Sequence, residues 1–121
     1  MSFTLATWNI NSVRLREAIV LQLLRDEAPD VLCLQECKSP VELIPTAGFA
    51  DLGYPHMVAR GQKGYNGVAI LSKFPLEDAG SLDLAQLGHA RHVAGRLPNG
   101  VTIHNHYVPA GGDVADRAQN E

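Results

Sequence analysis

The chain has 121 residues, 45% of them hydrophobic and 19% charged, and a formal net charge of −3. That balance suits one globular domain and excludes disorder over most of the length; it also lacks the broad basic footprint of a protein held to nucleic acid by charge alone. No apolar run approaches the roughly 18 residues of a membrane span. No basic segment followed by an apolar stretch marks a secretory leader, so the expectation is a cytoplasmic protein.

In chain order, residues 3–8, FTLATW, alternate partly and carry Phe3, Thr4 and Trp8, which favours a strand. Ser12 is then a candidate N-cap for a helix written VRLREAIVLQLLRDEAPD. Ala18, Ile19, Leu21, Leu23 and Leu24 give it an apolar face, and Pro29 limits its far end. DVLCLQE follows, a nearly continuous apolar run that reads as a buried central strand ending in Glu36. VELIPTAGFADLGYP is weakly helical and broken by Pro and Gly. After the turn-like RGQKGYN comes a second short buried strand, GVAILS, whereas residues 75–90 hold no clear period and read as loop. ARHVAGRLPNGVTIHNHYVP then reads as two strands joined at Asn99-Gly100, and the tail AGGDVADRAQNE is small and polar. The sum is a mixed α/β arrangement in which a sheet with two apolar faces finds one convincing helix to cover it.

The cysteines, Cys33 and Cys37, stand four apart. On one extended strand their Cα atoms lie about 13 Å apart. That exceeds the roughly 7 Å a disulfide tolerates, so they read as reduced thiols. His104 and His106 have strand spacing and share one side, with His92 on the paired strand. They form either a His-x-His metal pair or an outward histidine face opposite Val101, Ile103 and Tyr107. With no further ligand at fixed spacing, the outward face is favoured. GQKGYNG lacks the Walker pattern and precedes a strand, so Lys63 and Tyr65 read as residues of a solvated turn.

Polar residues at strand ends are the informative ones. Asn9 and Asn11 follow one strand, Glu36 ends another and Tyr107 closes the last. In open α/β sheets ligands gather beyond the strand carboxyl ends, which brings such residues together across the sequence. One carboxylate with amide neighbours suits a hard cation such as Mg²⁺, and a phenol can donate to a phosphate oxygen or move a proton.

Four segments stand in order: ATWNINSVR, PDVLCLQECK, GYNGVAILSK and YVPAGG. Their sequence and spacing resemble the exonuclease III family of AP endonucleases, within the wider endonuclease/exonuclease/phosphatase fold. The resemblance runs from about residue 3 to residue 113. It implies a DNase I-like α/β fold, here half of a four-layered α/β sandwich: a mixed sheet with a flanking helix and the second sheet largely missing. By the same resemblance residues 1–121 form the N-terminal part of one such domain, truncated at its C-terminus. The implied activity is that of a Mg²⁺-dependent DNA repair nuclease, with Mn²⁺ as the alternative metal. It hydrolyses a phosphodiester 5′ of an abasic site and removes nucleotides from 3′ ends, so the partner is double-stranded DNA carrying either feature. Carried over by position, Glu36 is the metal-binding glutamate and Asn9 the asparagine of the metal and phosphate site. Asn11 is a neighbouring site position, and Tyr107 is the active-site tyrosine near the scissile phosphate. Arg14, Lys38 and Arg91 match basic residues near the DNA backbone.

The chain departs from that family in lacking the GD-x-N and SDH motifs; Asp113 is followed by Val114 and Ala115, and none of its five histidines has an SDH context. Alone it is therefore expected to be inactive, with an open inner sheet face through which it associates. The alternative function is a non-catalytic half-domain that uses this face to bind a partner or a complementing second half.

Overall fold

The computed structural model describes residues 4–61, 67–80 and 92–106. Strands β1 (Leu5–Asn9), β2 (Val31–Gln35), β3 (His56–Arg60) and β4 (Val68–Ser72) form a four-stranded sheet in the order β1-β2-β4-β3. Strand β1 runs parallel to β2 and the other pairings are antiparallel, so the sheet is mixed. A second, three-stranded antiparallel sheet holds β5 (Glu77–Gly80), β6 (His92–Arg96) and β7 (Thr102–His106) in sequence order.

The alternation of each central strand divides its side chains between two cores. Leu32 and Leu34 of β2, with Ala69 and Leu71 of β4, face helix α1 (Glu17–Asp26) and the short helix α2 (Thr46–Asp51), where Val20, Leu24, Phe49 and Tyr54 bury against them. Val31 and Cys33, with Val58, Val68 and Ile70, face the second sheet and meet Val93, Leu97 and Ile103. The layers are therefore helix, sheet, sheet. Cys33 and Cys37 are free thiols, one in each core, and burial pushes them up to about 11 and about 12.

The half-sandwich is the fold expected, and β2, β4 and the hairpin at Asn99-Gly100 fall where the sequence puts them. The inner sheet face, however, is covered over β2, β3 and β4 and stays exposed over β1, at Leu5, Thr7 and Asn9. The cover is β5–β7, because the 92–106 hairpin belongs to a second sheet and is joined there by β5. This narrows the surface on which self-association and the partner-binding alternative were based to the β1 side of the sheet. Strand β5, EDAG, lies in the segment read as loop. It is mostly exposed and carries no apolar alternation; it pairs through its backbone and through Arg96 Nη1, 3.2 Å from Glu77 Oε1. The rest of the stretch read as loop, residues 81–90, lies outside the described residues.

Helix α1 starts at Glu17, later than a cap at Ser12 requires. Ser12 sits at φ 90, and its hydroxyl accepts from the Leu15 N–H at 3.3 Å, closing a turn in place of a helix end. Pro29 does mark the other limit, with Ala28 left-handed at φ 43 just before it. Among the described residues no helix is long and apolar enough to cross a membrane.

Candidate active site

Because β1 and β2 are parallel neighbours, their carboxyl ends lie side by side, with Asn9 in register with Gln35. The chain then leaves both strands through loops zipped to each other. Ile10 N–H donates to Gln35 O at 2.9 Å, Ser12 N–H to Glu36 O at 2.8 Å and Val13 N–H to Cys37 O at 2.9 Å. Val13 and Cys37, 0% and 1% exposed, nail this zipper into the helix-side core. Four residues of the zipper are left-handed without being glycine: Asn11 at φ 53, Ser12 at φ 90, Glu36 at φ 56 and Lys38 at φ 53. Such a backbone costs an L-residue about 1–2 kcal/mol, so it persists only where surrounding bonds impose it. Here it turns Glu36 out of the β2 pleat, towards the end of β1.

The result is a compact polar cluster. Asn9 Nδ2 donates to Glu36 Oε2 at 2.9 Å, and Lys38 Nζ stands 3.9 Å from Glu36 Oε1. The Glu36 side chain is 23% exposed and that of Lys38 33%, so the pair is reachable from solvent yet held in place. Gly67, at φ 96, accepts from Cys37 N–H at 3.0 Å; a Cβ there would stand 3.1 Å from Lys38 N. The bend carrying Glu36 is thus backed by a residue that has no side chain.

A second polar group braces the first from inside the sandwich. Thr7, Asn9 and Gln35 share the inner face. Gln35 Nε2 donates to Thr7 Oγ1 at 2.9 Å and to Asn105 Oδ1 at 2.7 Å. Asn105, 2% exposed, reaches across from β7 and donates to Leu34 O at 2.9 Å and Ala69 O at 2.8 Å.

Of the residues singled out in the sequence, the structure brings Asn9, Glu36 and Lys38 together. Asn11 and Arg14 lie on the zippered loop, exposed, and their side chains make no hydrogen bond or ion pair among the described residues. Arg91 and Tyr107 lie outside the described residues, as do Lys63 and Tyr65. Sequence reasoning missed Thr7, Gln35 and Asn105. The signal for Asn105 was present: it takes the inward parity of Ile103, where an apolar residue is the rule.

The histidines pack on the other face of the second sheet. His92 Nε2 and His104 Nδ1 are 3.0 Å apart, and His106 lies against His92 at 4.3 Å between ring centroids. His104 and His106 are exposed and His92 is buried. Burial holds the His92 imidazole below its usual value, and the positive charge that His106, His104 and Arg60 can present adds to this. Among the described residues no three His, Cys, Asp or Glu side chains are placed to hold a metal ion.

The sequence profile of the Endonuclease/Exonuclease/phosphatase family matches residues 6–120. Exodeoxyribonuclease III of Haemophilus influenzae is 40% identical over 67 residues, which are 55% of this chain and 25% of that protein. An AP endonuclease from Archaeoglobus fulgidus superposes with a TM-score of 0.81 at 38% identity, covering 91% of this chain and 42% of its own. A 3′ phosphatase from Neisseria, solved with a product DNA hairpin, superposes with a TM-score of 0.79 at 38% identity, covering 88% of this chain and 41% of its own. The chain thus spans less than half the length of these solved relatives. A profile match that takes in both zippered strand ends, on a fold that superposes on two such structures, makes this chain a member of the endonuclease/exonuclease/phosphatase family.

Proposed function

We propose that this chain carries one half of the active site of a divalent-metal-dependent DNA repair nuclease of the exonuclease III type. The observation that carries the reading is the Asn9–Glu36 pair, 2.9 Å apart at adjacent carboxyl ends of parallel strands. The donor set suits the metal: one carboxylate and one carboxamide offer hard oxygens, and Mg²⁺ is commonly held by one or two carboxylates plus substrate phosphate. Glu36, with the Asn9 carbonyl oxygen, would hold it. When bound, Mg²⁺ supplies charge neutralisation and Lewis acidity at the scissile phosphate. The protein's own groups do the rest. Asn9 fixes one oxygen of Glu36, leaving the other towards Lys38. The Lys38 side chain is one-third exposed, and its ammonium is suited to a backbone phosphate. Tyr107 and Arg91 join the site by family resemblance, Tyr107 one residue beyond the end of β7.

The substrate is duplex DNA with an abasic site or a 3′ end, recognised by backbone and shape. The machinery that activates water belongs to the GD-x-N and SDH motifs, which these 121 residues lack, so the chain by itself does not turn over. The test combines Mn²⁺ titration followed by NMR with incision of a duplex carrying one abasic-site analogue, in Mg²⁺ and in EDTA. Mn²⁺ should broaden the resonances of Asn9, Glu36 and Lys38, and Glu36→Ala should remove the effect. No broadening there overturns the metal reading. Mg²⁺-dependent incision that disappears in Glu36→Ala would instead overturn the claim of inactivity.

A further inference from the structure

Asn105 is a buried carboxamide in a layer otherwise filled by Val31, Cys33, Val58, Val68, Ile70, Val93, Leu97 and Ile103. An apolar side chain would fill that space without the cost of desolvating an amide. What the amide does there is specific. Both Nδ2 protons are used, one on Leu34 O at 2.9 Å and one on Ala69 O at 2.8 Å, and these residues face each other across β2 and β4. Oδ1 accepts from Gln35 Nε2 at 2.7 Å, and the second proton of that amide goes to Thr7 Oγ1 at 2.9 Å. The donor–acceptor pattern fixes the orientation of both amides, because a flipped Asn105 would set its oxygen against two carbonyls. Three strands of the first sheet, β1, β2 and β4, are therefore clasped by one residue of the second.

The clasp ends next to the site. Glu36 follows Gln35 directly and begins the left-handed bend at φ 56. Asn9 lies two residues beyond Thr7 on the same face of β1. We infer that Asn105 is a positioning residue: through Gln35 and Thr7 it sets the separation and rotation of the β1 and β2 ends, and so the Asn9–Glu36 hydrogen bond on which the proposed metal site rests. Without it Gln35 keeps Thr7 Oγ1 as its partner but loses the bond that fixes its position from the second sheet, and the end of β2 loses that anchor.

The test reads the metal-free 121-residue chain by NMR. The reporter is the Asn9 side-chain amide, assigned by its disappearance in Asn9→Asp; its hydrogen bond to a carboxylate shifts it and slows its exchange. Asn105→Ala should return this signal to the position and exchange rate of a solvated amide. Val93→Ala is the control. Val93 stands opposite Asn105 in the register and is 0% exposed, so its truncation lowers the melting temperature through packing alone and should leave the signal unmoved. An unchanged Asn9 signal in Asn105→Ala, or equal loss in Val93→Ala, overturns the inference. Should Asn105→Ala fail to fold, Asn105→Thr is read by the same criterion. It keeps most of the volume but has one donor for two carbonyls. In the Mn²⁺ titration, loss of the clasp should weaken binding about tenfold, the lower end of what outer partners of a metal site contribute. If the unmodified chain binds no Mn²⁺, the proposed function fails, while the metal-free Asn9 signal still decides the role of Asn105.

Discussion

His92 is the residue whose surroundings tie stability to pH. It is buried, its Nε2 lies 3.0 Å from His104 Nδ1, and the ring of His106 lies tilted against it. Arg60, itself paired with Asp78 at 2.9 Å and 3.0 Å, adds a fixed positive charge nearby. All of these disfavour imidazolium, so the folded value lies below the ordinary 6.5. The unfolded chain therefore takes up a proton before the folded one does. Stability is full above 6.5, falls as the pH drops below it, and levels off once the depressed folded value is passed. Urea midpoints measured from pH 8 to pH 5 should show this decline, and His92→Gln should flatten it. An equal slope in His92→Gln would assign the decline to other groups. The same cluster shows how far residue patterning alone can be read. Histidines two apart on a strand share a face by geometry, which the sequence states. Which of them is buried depends on what else packs there, which it does not state.

At the scale of elements, the hydrophobic runs of β2 and β4 were legible because both of their faces are covered, and a fully buried strand writes itself as an unbroken apolar run. The hairpin was legible from Asn99-Gly100, with Gly100 at φ 89 where a turn needs it. Strand β3, HMVAR, escaped because only Val58 and Ala59 are buried, and β5 escaped because its side chains are charged or small. Edge strands held by backbone pairing leave little trace in hydropathy. The site was half legible for a related reason. Glu36 and Asn9 stand out as polar residues closing apolar strands, whereas the bends that aim them are imposed by contacts between distant segments. Gly67 is one such contact, and it can be weighed. Gly67 and Gly53 share a left-handed backbone, φ 96 and φ 98, but a Cβ at Gly53 meets nothing within 4 Å, while at Gly67 it would meet Lys38 N at 3.1 Å and Cys37 Cβ at 3.2 Å. Gly53→Ala should cost about 1–2 kcal/mol, the left-handed penalty alone. Gly67→Ala should cost about 1 kcal/mol more, from crowding against a backbone that cannot swing away. Denaturation by urea gives both values. Equal losses would mean that the Glu36–Lys38 bend yields freely, and the description of Gly67 as its support would be wrong.

For the molecule as a whole, the question is whether its two sheets open together. Cys33 lies in the core between the sheets and Cys37 in the core beneath α1, so each thiol reports on one interface. Burial raises them to about 11 and about 12, so at pH 8 neither is an effective thiolate until its surroundings open. Among the described residues the second sheet has three strands, and its inner face carries the apolar layer of Val93, Leu97 and Ile103. Detaching it would also bare Val31, Val58, Val68 and Ile70, which are 0–7% exposed, and would strand the Leu34 and Ala69 carbonyls that Asn105 serves. An intermediate of that kind loses apolar burial and hydrogen bonds at once and gains back little chain entropy, because the first sheet stays ordered. The two cores should therefore open in one step. Alkylation at pH 8 across a series of urea concentrations, with each cysteine followed by mass spectrometry, should give Cys33 and Cys37 the same opening free energy and the same urea dependence. Faster labelling of Cys33 with a shallower urea dependence would show the second sheet leaving first. The clasp at Asn105 would then hold the strand ends only as long as that sheet remains docked.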